Sequence, residues 1–244
     1  MAVQAPVQPP RPMLPPPGRA GPARPGQAVA VLTGVLTVGT FGLALTALPD
    51  KVPYPFTDPV IARQWPGDYL WMYPAMVLMV AFVALVAALL ELATPARRVF
   101  GVLALALAAI AAGVLLVDYY VQVTVLPVSL EKGQLDGWSM LTQYNPHGVF
   151  LALEELGYLL MVGVFLALVP LLAGSSGTER VLRWLFLGSA AATVVAFVAV
   201  SLRLGIGRGD VFEIAVISIV WLTLIAASPL LAVVFHRAGA QATA

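Results

Sequence analysis

From Ala28 to Leu48 the chain runs 21 residues without a charge or a proline. An α-helix needs ~20 apolar residues to cross the hydrocarbon core of a bilayer, and a helix bonds its own backbone groups where no water can. Five further stretches pass the same length test: residues 69–92, 99–126, 147–172, 181–202 and 211–235. The sequence therefore predicts an all-α fold, a polytopic membrane bundle of six transmembrane helices over residues 28–237, with both termini on one side. The first stretch is longer than the 7 to 15 residues of a signal-peptide core and is expected to remain as a span. Composition agrees, because 60% of the 244 residues are hydrophobic and 10% charged, where soluble domains carry about 25%.

Residues 1–27 are rich in Pro, Gly and Arg, hold almost no large apolar side chains, and read as a disordered tail with local polyproline character. Residues 238–244 read as a short C-terminal tail. The flanks on the side of the termini contain eight arginines (11, 19, 24, 97, 98, 180, 183 and 237), against five basic residues (51, 63, 132, 203 and 208) on the other side. Because cytoplasmic flanks accumulate Lys and Arg, the termini are expected in the cytoplasm and the protein in the cell membrane. The first two links on the opposite, outer side are long, and loops of that length are more often ordered or functional than idle.

A net charge of +1 and the lack of a basic stripe speak against a nucleic-acid partner. With no cysteine and two histidines far apart, the chain offers no thiolate chemistry and no His-rich zinc site. Neither a metal nor a cofactor is expected. "GIGRG" at 205–209 joins two spans without a strand and reads as a tight turn, not a nucleotide fingerprint.

The polar residues inside the spans gather toward the outer end. Asn145-Pro146 has the form of a helix start. At about 100° per residue His147, Glu154, Tyr158, Met161 and Phe165 share one helix face, while Glu155 points about 100° away. Asp118 and Gln122 share a face of the preceding span at matching depth, so Glu154 is expected to meet Asp118. Arg203 and Glu213 lie near the same level, and Tyr119, Trp138 and Tyr144 complete a polar and aromatic belt. An ionisable side chain in a bilayer costs at least ~2.5 to 3.5 kcal/mol and normally faces the bundle interior with a partner.

At "DYYVQ", "QYNPHG" and "ALEELGY" the chain resembles a group of multi-span bacterial membrane proteins without an established activity. That resemblance implies a multi-span fold and transfers no role to any residue.

These residues lead to an expected outer-leaflet pocket for a lipophilic small molecule or lipid, lined by Tyr119, Gln122, Trp138, Tyr144, Glu155, Tyr158, Arg203 and Glu213. Proton-transfer chemistry of the isomerase or cyclase kind would use Glu154 as the acid, with Asp118 or His147 as its modulator. The same acids suit a proton-coupled permease, although the polar groups avoid the midplane where transporter sites usually lie. Small-residue runs such as "LALALAAIAAG" suit a non-catalytic subunit packed into a complex.

Overall fold

The computed structural model describes residues 23–47, 65–134, 136–172, 174 and 176–243, and these form helices and turns without a strand. The long helices are α1 (Ala23–Ala47), α2 (Met72–Glu91) and α3 (Arg98–Thr124). Two short ones, α4 (Leu126–Glu131) and α5 (Trp138–Leu141), lie in the link that follows, and α6 (Val149–Leu168), α7 (Gly177–Leu204) and α8 (Gly209–Thr243) complete the chain. Five helical stretches are long and apolar enough to cross a membrane. The last of these, Gly177–Gln241, is divided into α7 and α8 by a 3-10 turn at Gly205–Arg208.

Consecutive long helices pack against each other, as short links between antiparallel neighbours favour. The last helix closes on the first, so the order around the bundle is α1, α2, α3, α6, α7, α8 and back to α1, and α6 also touches α8. This makes α6 the element that sees α3, α7 and α8 together. Its inward face carries Leu151, Glu154, Tyr158, Met161, Phe165 and Leu168, all buried, at the three- and four-residue spacing of one helix face. Outward faces are apolar as well: Val31, Leu32, Val35 and Val38 of α1 and Val194, Val195, Val198 and Leu202 of α7 are exposed.

Three of the departures of helix boundaries from the sequence reading have a local cause. Helix α1 begins at Ala23, five residues into the stretch assigned to the tail, because Pro25 falls in the first turn where its missing N–H costs nothing; residues 1–22 lie outside the described residues. Helix α8 runs through the expected C-terminal tail to Thr243, over the Ala-rich "AGAQAT", which has good helix propensity. Helix α6 begins at Val149, two residues after His147. Asn145 organises the turn before it: its side-chain oxygen accepts from the His147 N–H at 2.9 Å and its amide donates to the Ser139 carbonyl at 2.8 Å.

One glycine sets the closest helix approach at this end. A Cβ on Gly157 would lie 2.5 Å from Leu115 Cγ on α3, so the absence of a side chain brings α3 and α6 together beside Glu154 and Tyr158. Helix α7 starts at a capping box in which the Ser176 hydroxyl and the Glu179 backbone and carboxylate bond reciprocally. That Ser-x-x-Glu pattern is visible in the sequence and fixes where the helix begins.

Candidate functional site

At the loop end of the bundle, three helices bring carboxyls together. Glu154 lies five residues into α6 and Asp118 six residues before the end of α3, about 7 to 9 Å from those helix ends at 1.5 Å per residue. Glu213 lies four residues into α8 at a similar depth. All three are more than nine-tenths buried: Glu154 is 1% exposed, Asp118 4% and Glu213 7%.

Glu154 accepts a hydrogen bond from the Tyr119 hydroxyl at 2.7 Å. The Tyr158 hydroxyl lies 2.8 Å from that of Tyr119, and since Tyr119 spends its one proton on Glu154, Tyr158 is the donor of this second bond. Glu213 of α8 lies within electrostatic reach of both Glu154 and Asp118. The result is a hydrogen-bonded run from Tyr158 through Tyr119 to Glu154, contributed by α6 and α3, with Glu213 of α8 close by.

The run opens on a cavity of about 170 Å³ lined by Glu154, Glu213 and Asp68 together with Trp71, Tyr144 and Trp221. Phe41 of α1 and Phe150 of α6 lie on its wall as well. Trp221 anchors the aromatic part: its ring is 5.5 Å from Phe41, 6.0 Å from Trp71 and 6.0 Å from Tyr158, each in an edge-on arrangement that suits the ring quadrupoles. Helices α1, α6 and α8 and the entry to α2 therefore meet at one indole.

Tyr144 secures the rim by donating to Asp68 Oδ2 at 2.9 Å. Burial, followed by the neighbouring Tyr69 and Asp68, raises its phenol well above the ordinary value of 10.0. A group held more tightly protonated in the fold contributes fully below the unfolded value and loses that contribution as pH rises toward the folded one. The thermal midpoint is expected to fall above about pH 10. Tyr144→Phe should lack this component of the alkaline loss while costing about 1 to 2 kcal/mol at neutral pH. Thermal melts of both proteins from pH 7 to 11 check it, and parallel alkaline profiles would refute the assignment.

The remaining expected site residues separate into those at the cavity and those elsewhere. Tyr119, Tyr158 and Asp118 stand behind the lining, in the polar run or within electrostatic reach of it. Glu154 has Asp118 of α3 within electrostatic reach, and Glu213 of α8 joins them because α6 packs on α8 as well as on α3. Gln122 pins the link above: its amide donates to the Leu141 carbonyl at 2.5 Å and its oxygen accepts from the Gln143 N–H at 3.0 Å. Trp138 is buried and donates to the Leu126 carbonyl at 3.2 Å, tying α5 to α4.

His147 and Arg203 are exposed and lie outside the cavity lining. His147 is carried outward by the turn that precedes α6, and Arg203 points away from the bundle near the end of α7. Glu155 faces away from Glu154, as its position on the helix requires, and pairs at 2.7 Å with Arg208 of the 205–208 turn. The Arg208 guanidinium also sits 4.8 Å from the centre of Phe197 and 5.1 Å from that of Phe212. Among the described residues Arg208 is a cation of this region, held in the turn that Gly205 and Gly209 form with positive φ.

Sequence reasoning missed Trp221. The signal was present, since Glu213, Ile217 and Trp221 recur every four residues along α8 and all three line the cavity. Among the described residues no group of three or more His, Cys, Asp or Glu side chains is placed to hold a metal ion.

Fold and site together define an all-helical chain with several helices long and apolar enough to cross a bilayer, and an acidic, aromatic-lined cavity at one end. Comparison with family models, with curated proteins and with solved structures finds no match for this chain, so the roles of its residues rest on their own chemistry.

Proposed function

We propose that this chain is an integral membrane protein of six spans, α1, α2, α3, α6, α7 and α8, whose cavity binds the head of a lipophilic small molecule or lipid. The observation that carries the reading is the inversion of polarity across the bundle. Large apolar side chains cover the outside of α1 and α7, while Asp118, Glu154 and Glu213 are buried within. That is the arrangement expected where the surroundings are lipid and an ionisable group marks a site. The arginine count favours termini in the cytoplasm and, with them, a cavity in the outer leaflet.

The volume narrows the ligand. A cavity of about 170 Å³ is close to the ~150 Å³ that accommodates benzene in an engineered apolar site. It accepts a head or a single ring, and a longer tail must leave along the α1 and α8 wall, where Ala44, Leu45 and Ile214 offer an apolar path. This favours binding one end of a lipophile over enclosing a long isoprenoid for cyclisation. Native mass spectrometry after gentle detergent extraction is expected to find one defined hydrophobic compound at near-equal stoichiometry. Recovery of bulk phospholipid alone would reject the pocket.

Proton transfer to the bound molecule is a second reading, favoured by the run of hydroxyls and carboxyls that ends at the cavity wall. Incubation in heavy water should then place deuterium at carbon in the co-purified compound. Glu154→Gln keeps the shape of the side chain but cannot pass a proton, so it is expected to slow incorporation at least about 100-fold while shifting the melting midpoint by only a few degrees. Wild-type protein that incorporates no deuterium at carbon would end this reading.

A further inference from the structure

A second cavity, of about 280 Å³, lies at the end of the bundle opposite the acid cluster, where α2 and α6 finish, α7 starts and α8 nears its last residues. Its floor is apolar, with Leu89, Leu92, Leu171 and Val234. Its polar wall carries one acid and one base, Glu179 of α7 and Arg237 of α8, together with Gln241. These opposite charges are not joined to each other. Glu179 Oε2 accepts from the Ser176 hydroxyl at 2.7 Å and from its backbone N–H at 3.3 Å, while Arg237 Nη1 donates to Thr178 Oγ1 at 3.2 Å. Among the described residues no other polar group meets Glu179 Oε1 or the remaining guanidinium N–H groups.

The cavity lies at the level of lipid heads. Trp184, five residues beyond Glu179 on α7, is 69% exposed, in the manner of indoles that anchor a helix at a membrane surface. Basic pockets between helices on the cytoplasmic side draw anionic heads, but here Glu179 stands in the wall and would face such a head. A bare cation would face Arg237. A zwitterionic head answers both charges at once. Its phosphate accepts from the planar fork of Arg237, its ammonium donates to Glu179, and its chains cover the leucines of the floor. The ammonium must carry N–H groups to do this, which phosphatidylethanolamine has and phosphatidylcholine lacks.

We infer that this second cavity holds a phosphatidylethanolamine, with its phosphate against Arg237 and Gln241, its primary ammonium against Glu179 and its chains over Leu89, Leu92, Leu171 and Val234. The inference rests on the reading of the chain as a membrane protein and adds a lipid site at the end away from the acidic cavity.

The test places the full chain in nanodiscs of equimolar phosphatidylethanolamine, phosphatidylcholine and phosphatidylglycerol with identical chains. Native mass spectrometry after release from the disc scores which lipid the protein retains. Phosphatidylethanolamine is expected to be retained at least about fivefold over each of the others. Gln serves in a capping box as Glu does, so Glu179→Gln keeps the start of α7, removes the charge and should bring phosphatidylethanolamine down to the level of phosphatidylcholine. Arg237→Gln should lower retention of all three. Equal retention by the wild-type chain would overturn this site and leave the acidic cavity standing. A preference for phosphatidylglycerol would overturn it too, because the arginines alone would then select the lipid. A preference for phosphatidylethanolamine that survives both substitutions would place the head elsewhere and overturn the inference. A chain that does not enter the nanodisc would reject the membrane reading and this site with it.

Discussion

Trp221→Ala is expected to lower the melting midpoint by roughly 6 to 12 °C, about 3 kcal/mol at the 2 to 4 °C per kcal/mol usual for a chain of this length. The indole is 1% exposed and meets rings from α1, from the entry to α2 and from α6. Truncation in a soluble core loses both the transfer term and the cavity term. For the membrane bundle proposed above the unfolded reference is itself apolar, so the transfer term shrinks and the packing term dominates. The estimate therefore lies at the lower end of the 3 to 5 kcal/mol seen for buried Trp in water. Trp221→Phe keeps part of the packing and should lose less than half as much. A shift of under 3 °C for the alanine variant would show that the aromatic cluster does not hold these elements together.

Gly157→Val is expected to destabilise by about 1 to 3 kcal/mol through overpacking. Its Cβ would enter within 2.6 Å of Leu115 Cγ and Cδ2. Leu115 has no exposed surface into which to turn, so α3 must retreat from α6. Retreat also stretches the Tyr119 to Glu154 bond, because Leu115 and Tyr119 are one helical turn apart, as are Glu154 and Gly157. Pairing Gly157→Val with Leu115→Ala makes room for the new methyls. The double variant is expected to be at least about 1 kcal/mol more stable than the sum of the single changes implies. Melting of the four proteins of that cycle decides the matter, and strict additivity would mean the two positions do not share the contact.

The long helices were legible because length and absence of charge identify them without knowledge of any partner. Within α6 the shared face of Glu154, Tyr158, Met161 and Phe165 followed from a 3.6-residue period, and the burial of all four agrees with it. Choosing the residue that meets Glu154 needed a different kind of information. Asp118 was preferred because α3 and α6 are neighbours in sequence and equal in depth. The contact of α6 with α8, which brings in Glu213, depends on how the ring of helices closes. No periodicity within a single helix encodes that.

The same distinction separates Arg203 from Arg208. Both lie near the end of α7 in sequence, but backbone turning at Gly205 and Gly209 faces the later one toward Glu155. His147 belonged by helical phase to the inward face of α6. Phase stopped applying because the chain at that residue is a turn held by Asn145.

The seam between α1 and α8 bears on how the protein is made. Gly26 of α1 approaches the ring of Phe235, and Gly34 approaches Ser228, so α1 fits against α8, which is synthesised well after it. Until α8 arrives, α1 lacks one of its two flanking helices and the cavity lacks Glu213 and Trp221. Chain synthesis proceeds at about 5 to 20 residues per second, which leaves the early helices in an unfinished arrangement for ten seconds or more. Glu154, made 59 residues before Glu213, waits roughly 3 to 12 s without it.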